Sequence, residues 1–412
     1  MKSNYYHKAL IVAAVGIFYT NLPRYVYNSH GWTLLDEPKH WVLLFCLLTL
    51  PVLVIRMTAR NALKSPVTIW CLGYAGLTVL WFFLSSQSET ALQEVRWRFL
   101  TILEILVFLM IFWEPHATKL ARKMLVLAVL FGVALNIYEV FAPLSFSRVI
   151  GRSAGLYENP NTAGEALVLG MIVSVNVLAP RYRGPFILLT GIGILSTLSR
   201  AAILMWVIAA AGLILAGGLR LKDLLVPGAV SLLLVVLVLF PRWDQLLTTW
   251  ESTGVVNVNV QERLEWFTDP VGVSDQSSWE RKYLAQRAWG KIAERPFLGH
   301  GTGSSYEAAI PPHNQYLAFM LDHGLLGVMI VPLLTLAVTW RARGEGRGVA
   351  IIFGCGILML SLFTHSILNT GHSLILLPLM AAMAAASGHP EIKRMMAMET
   401  KDRGTAEVLV GG

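Results

Sequence analysis

Long apolar runs broken by short polar connections dominate the chain. Twelve runs are read as membrane spans, at about 9–27, 41–55, 66–84, 99–113, 124–141, 163–179, 185–198, 201–217, 223–240, 314–340, 349–366 and 371–387. Crossing the hydrocarbon takes roughly 20 apolar residues per helix. Within the runs the apolar residues are continuous, whereas barrel strands would alternate apolar and polar positions. The pattern predicts an all-α polytopic membrane protein.

The 185–217 region is the one ambiguous case. A single helix of that length would rise about 50 Å, against a core of about 30 Å. Two helices would each be short, which implies tilt or burial against neighbours. Charge decides between them. With two spans, 19 of the 33 basic residues fall on the N-terminal side, in short loops and tails that include Lys64, Lys119, Arg122, Lys123, Arg181, Arg183, Arg220, Lys222, Arg341, Arg343 and Arg347. The other side holds 14, half of them in one long loop, where orientation rules have little force. The expectation is therefore twelve spans with both termini cytoplasmic. Residues 1–240 carry spans one to nine, 241–313 form an outer loop, 314–387 carry the last three spans, and 388–412 form a cytoplasmic tail.

Within the loop, GVVNVNV (254–260) alternates and reads as extended. Ser278 to Arg295 reads as a helix, with Ser277 or Ser278 as N-cap and Glu280 in its first turn. Arg281, Leu284, Ala288 and Ile292 share one face of that helix, and Tyr283, Arg287 and Lys291 share another. The helix should lie along the membrane surface or against the bundle. The glycines of Gly299-His300-Gly301-Thr302-Gly303 follow no strand and precede no Lys-Ser/Thr pair, so they read as a tight turn rather than a nucleotide loop.

Composition agrees with the pattern. Hydrophobic residues make up 55% of the chain and charged residues 14%, against about 25% charged in soluble domains. The net charge of +8 is what cytoplasmic loops of a membrane protein accumulate and does not call for a nucleic-acid partner. Cys46, Cys71 and Cys355 lie inside apolar runs without metal-site spacing and read as core residues. The first run lacks a small-residue cleavage site and reads as a retained span.

The chemistry-bearing residues cluster around the outer loop. Pro311 and Pro312 suit entry into a helix, which puts His313 in the first turn of the tenth span. The helix dipole there disfavours imidazolium, leaving a neutral ring able to accept a proton; the competing reading is an interfacial histidine bonded to a carbonyl. Arg200 sits at the outer turn between two short spans, where a guanidinium is either functional or snorkelling to head groups. Its planar fork suits phosphate. Arg281, on an otherwise apolar face, needs an anionic partner: Glu265, Glu280 or a ligand phosphate. Arg263 is a rival for the same role. Arg152 lies in the loop before the sixth span, and the Asn159-Pro160-Asn161 that follows is first of all a helix start. His300, His323, His365 and His372 have weaker contexts, although His365 and His372 flank the last outer turn and could line the same vestibule. There is no metal-ligand spacing, and no close acidic pair suggests a cation.

Taken together, RSAGLYENPNTAGE (152–165), TLSRA (197–201), ERKYLAQRAWGKIAERPFLGHGTGSSY (280–306) and PPHNQYLAFMLDHGLLG (311–327) resemble the O-antigen ligase and polymerase superfamily. The resemblance covers roughly 150 to 330. It implies a bacterial inner-membrane glycosyltransferase, metal- and cofactor-independent, that takes its glycan from an undecaprenyl-diphosphate-linked donor at the periplasmic face. It further implies His313 as catalytic base, supported by Asn314, and diphosphate binding by Arg200 with Arg281 or Arg263, joined by Arg152. The single long loop late in the chain and the His-Asn at its end favour a ligase, with lipid A–core as acceptor, over a polymerase. The rival of another class is a lipid-linked glycan transporter, against which stand the absence of a half-to-half repeat and the concentration of polarity in one loop.

Overall fold

The computed structural model describes residues 5–30, 37–55, 61–226, 228–229, 248, 257–268, 276–307 and 311–387. The described residues are helical, with no strand among them. Eleven of the twelve apolar runs coincide with helices. The helices are α1 (Tyr5–Ala13), continued by a π-turn (Ala14–Tyr19), α2 (Leu22–His30), α3 (Pro38–Ile55), α4 (Pro66–Phe82), α5 (Glu89–Phe112), α6 (Pro115–Phe141), α7 (Pro160–Ser174), α8 (Pro180–Leu195) and α9 (Arg200–Leu215). After these come α10 (Val258–Thr268), α11 (Gln276–Glu294), α12 (Ser304–Glu307), α13 (Gln315–His323), a 3-10 stretch (Gly324–Met329), α14 (Ile330–Thr339), α15 (Glu345–Leu360) and α16 (Gly371–Ser387). Two thirds of the ninth run, 223–240, and the whole tail 388–412 lie outside the described residues.

By length and composition, Pro115–Phe141 and the continuous Gln315–Thr339 can each cross a membrane, and Tyr5–Tyr19 with Leu22–Ser29 would be a third span bent by 52°. Several shorter apolar helices surround them. These apolar helices suit a membrane protein.

The 185–217 region is two helices. Trp206 Nε1 on α9 donates to the Ile187 carbonyl on α8 at 3.0 Å. A Cβ on Gly191 would stand 2.6 Å from the Trp206 ring, so the pair folds back antiparallel with glycine at the point of closest approach. The break is the turn 196–199, where Leu198 adopts φ +49°.

Contacts between connections sort the bundle into two ends. At one end Asn28 donates to Glu158, Asn257 to the Ile150 carbonyl at 3.1 Å, Thr302 N to the Trp81 carbonyl at 3.2 Å and Gln315 N to the Ser361 carbonyl at 2.8 Å. At the other end Arg341 donates to the Lys64 carbonyl at 2.9 Å, Arg183 to the Gly218 carbonyl at 2.8 Å and Arg343 N to Ser387 Oγ at 2.9 Å. The core between them is continuous, with α16 buried along most of its length.

Candidate functional site

The site is built on the α8–α9 turn. Thr197 Oγ1 closes it, donating to the Ile194 carbonyl at 2.6 Å and accepting from Ser199 N at 3.2 Å. The backbone carbonyls then take two guanidiniums from distant segments. Arg152 Nε donates to the Thr197 carbonyl at 2.9 Å, and Arg263 Nη1, from α10, to the Leu198 carbonyl at 3.1 Å. Arg200 is the first residue of α9, and its Nη2 donates to Ser278 Oγ on α11 at 3.3 Å. One four-residue turn thus ties together the loop before α7, the outer-loop helix α10 and, through Arg200, α11.

The loop helix α11 presents the expected face. Leu284, Ala288 and Ile292 are buried, and Ala288 and Ile292 pack with Leu317, Met320 and Leu321 of α13. Arg281, one turn before Leu284, is carried to the edge of this contact and lines the cavity beside it. The helix begins at Gln276, earlier than its sequence suggested. Ser278 therefore lies inside the first turn as an acceptor for Arg200 rather than as the cap, and Glu280 falls beyond that turn. Residues 258–260, expected to be extended, open α10 instead. The alternation of Val and Asn is overridden there by Asn257, whose side-chain oxygen accepts from Val260 N at 3.1 Å as helix caps do.

His313 stands just before α13 rather than in its first turn. The N-cap is Asn314, whose side chain accepts from Leu317 N at 3.1 Å. Asn314 therefore fixes the helix start next to the imidazole. Gln315 completes the anchoring. Its backbone N–H donates to Ser361 and its Oε1 accepts from Ile367 N at 3.1 Å, which draws the α15–α16 turn alongside. His365 of that turn faces His313 with ring centroids 5.3 Å apart and planes at 59°. Partial burial, and next the Arg281 guanidinium, hold His313 below the ordinary histidine value against an opposing pull from Glu280. Burial pushes His365 down to about 4, with His313 adding to the effect.

Arg200, Arg263, Arg281 and His313, together with Asn314, line a single cavity of about 430 Å³, shared with Lys282, Glu165 and Asn161. Arg152 is not on its wall. It sits buried behind, bonded to Thr197 and, through Nη2, to Asn161 Oδ1 at 2.9 Å. Burial, then Arg263, Arg281 and Arg200, bring Arg152 down to about 9, the signature of several like charges gathered in one place. Asn159 caps α7 by accepting from Asn161 N and Thr162 N, so the Asn-Pro-Asn segment is a helix start that also presents Asn161 to the cavity.

The remaining histidines do not join. His300 contacts the Lys291 carbonyl at 2.8 Å, and His372 packs against the Tyr157 ring. His323 lies in a buried network that the sequence did not single out. In it Arg98 of α5 bonds Glu94 at 2.9 Å and approaches His323 at 2.8 Å, and it pairs with Asp322. Asp322 also accepts from Gly303 N, Ser304 Oγ and Ser305 N, locking the glycine turn onto α13. Only the acidic residue beside the final histidine of α13 could have hinted at this. Among the described residues no cluster of three or more His, Cys, Asp or Glu side chains could hold a metal.

Chemically, the arrangement juxtaposes a cationic surface suited to a diphosphate and a neutral imidazole suited to accepting a proton. Residues 185–332 match the family model described as O-antigen ligase (Wzy_C). The match spans Arg200, Arg263, Arg281, His313 and Asn314 and stops short of Arg152. No curated protein matches the chain. Residues 185–332 thus carry an O-antigen ligase domain, which supports placing the chain in the O-antigen ligase/polymerase superfamily.

Proposed function

We propose that the protein is an O-antigen ligase: an inverting glycosyltransferase that moves O-antigen glycan from undecaprenyl diphosphate to a lipid A–core acceptor at the periplasmic face of the bacterial inner membrane. The observation that carries this reading is the shared cavity, in which three guanidiniums and one imidazole from far-apart segments meet. Orientation rests on charge. Lys64, Arg183 and Arg341 belong to the end of the bundle opposite the cavity, and such short basic connections stay cytoplasmic. This supports a reading with both termini inside and the cavity outside.

In the proposed step the acceptor hydroxyl oxygen bonds to the anomeric carbon while the bond from that carbon to the diphosphate oxygen breaks on the opposite face. The hydroxyl proton passes to His313, and undecaprenyl diphosphate leaves with the bonding pair. Negative charge grows on the diphosphate, where Arg200, Arg263 and Arg281 are already oriented to meet it. These cations supply the charge a divalent metal provides elsewhere, so the reaction needs none. Arg152, one layer back, holds the turn that aims Arg200.

Purified protein with defined donor and acceptor tests the reading. Glycan covalently attached to lipid A–core supports a ligase. Lengthening of the lipid-linked donor means a polymerase, and movement of donor across a bilayer without bond formation means a transporter.

A further inference from the structure

A second cavity, of about 560 Å³, lies at the same end of the bundle between α2, α3, α5 and the start of α16. Both cavities fall in the range of roughly 300–1,000 Å³ that ligand sites occupy, but their chemistry differs. The first brings Arg200, Arg263, Arg281 and Lys282 against one carboxylate, Glu165. Around the second, Glu37, Glu94 and Glu104 outnumber Arg24 and Lys39, and the rest of the wall combines aromatic rings and side-chain amides: Tyr27, Trp97, Tyr306, Asn28, Gln93 and Asn369. Three of these charges are already neutralised, since Lys39 pairs with Glu37 at 2.7 Å and Glu94 with Arg98 at 2.9 Å. With only Glu104 and Arg24 left over, such a wall lacks the cluster of cations that a diphosphate calls for. It suits a neutral sugar, whose apolar ring face packs on an indole or phenol while amides and carboxylates take its hydroxyls.

The two cavities are joined by rings. Tyr306, on the wall of the second, accepts a hydrogen bond from Asn369 Nδ2 at 3.2 Å and lies with its centroid 6.2 Å from that of His365. His365 in turn faces His313 on the wall of the first. We infer that the second cavity is a saccharide-binding cleft that holds the outer sugars of the acceptor and delivers a hydroxyl past Tyr306 and His365 to His313. The inference rests on the transferase reading for its direction of delivery but not for the binding itself. Trp97 is the stacking platform, and Gln93 and Asn369 bind hydroxyls at the exposed rim.

The experiment pairs a binding arm with a kinetic arm. In the first, saturation-transfer NMR measures binding of delipidated lipopolysaccharide core oligosaccharide to the detergent-solubilised full chain. Wild type and His313→Ala should bind it alike, Trp97→Ala about tenfold more weakly, and Trp97→Phe nearly as wild type. In the second, initial rates against lipid A–core concentration should show a KM about tenfold higher in Trp97→Ala with the donor KM unchanged. Asn369→Ala, at an exposed position, gives a smaller shift of the same kind and serves if Trp97→Ala does not fold. Absence of oligosaccharide binding by folded wild type overturns the cleft, as does binding that the intact lipid shows and the delipidated sugar does not. A rise in donor KM alone also overturns it. Oligosaccharide binding with no covalent product sinks the transferase reading and leaves the cleft standing.

Discussion

His313 and His365, 52 positions apart in sequence, face each other ring to ring at 5.3 Å, each held neutral by its surroundings. For His313 that matters directly, because only the unprotonated ring can take a proton from an acceptor hydroxyl. Its folded value lies below the usual one, so under the proposed mechanism His313 acts as base at neutral pH and loses that role only when acid protonates it. Transfer rate should therefore climb from acid to a plateau, with the inflection below the ordinary histidine value. Replacing Arg281 with Gln removes one cause of the depression and should move the inflection toward alkaline pH. Measuring kcat against pH for both proteins checks this.

His313→Ala should lower transfer by about 10²–10⁴-fold, the usual cost of losing a general base, with little loss of stability because the residue is only partly buried. A folded His313→Ala protein that transferred glycan at near wild-type rate would end its assignment as base.

Arg200→Lys and Arg281→Lys retain charge but lose the planar fork. Each should slow transfer by about 10²-fold or more, the scale of removing one preorganised donor to developing charge. Wild-type activity should persist in EDTA. A loss in EDTA that Mg²⁺ restores would reassign the stabilisation to a metal.

Arg152→Met should act differently from the other three. It deletes donors to the Thr197 carbonyl and to Asn161, leaving the buried carbonyl unsatisfied at a cost of about 1–3 kcal/mol. Thermal unfolding should shift down along with activity, whereas Arg200→Lys should leave it nearly unmoved.

Two glycines eleven residues apart should respond with opposite sign to alanine. Gly301 has φ +96°, and a Cβ there would lie 2.4 Å from the backbone of Ser85. Gly301→Ala should cost about 2 kcal/mol or more and loosen the turn that Asp322 locks. Gly290 is helical with open space around its Cα, so Gly290→Ala should stabilise by roughly 0.5–1 kcal/mol. Denaturation midpoints of the two variants decide it.

Periodicity carries far in this chain because spans are written in long apolar runs, and the helix pair within 185–217 was legible from charge as well as length. The apolar face of α11 was equally readable, since Leu284, Ala288 and Ile292 repeat at helical spacing. What escaped were contacts that close over long separations. Nothing near Arg98 announces Asp322, more than 220 residues away, because Arg98 alone reads as a charge at a span end and Asp322 as a lone carboxylate within another span. The start of α11 was misread because Ser277 and Ser278 look like caps. Ser278 has a different task, which only the neighbouring Arg200 reveals. Arg152 looked like a ligand-facing cation, and only its partners place it behind the wall.

The turn between α8 and α9 has a consequence for how the site tolerates variation. Its grips on Arg152 and Arg263 are peptide oxygens at Thr197 and Leu198, and every amino acid offers a peptide oxygen. The geometry that aims Arg200 is therefore written in the path of the main chain rather than in the identity of residue 198. What residue 198 has to keep is its left-handed φ of +49°, which β-branched side chains resist, and a scan that scores side-chain contacts alone would pass over the hinge on which the site is hung.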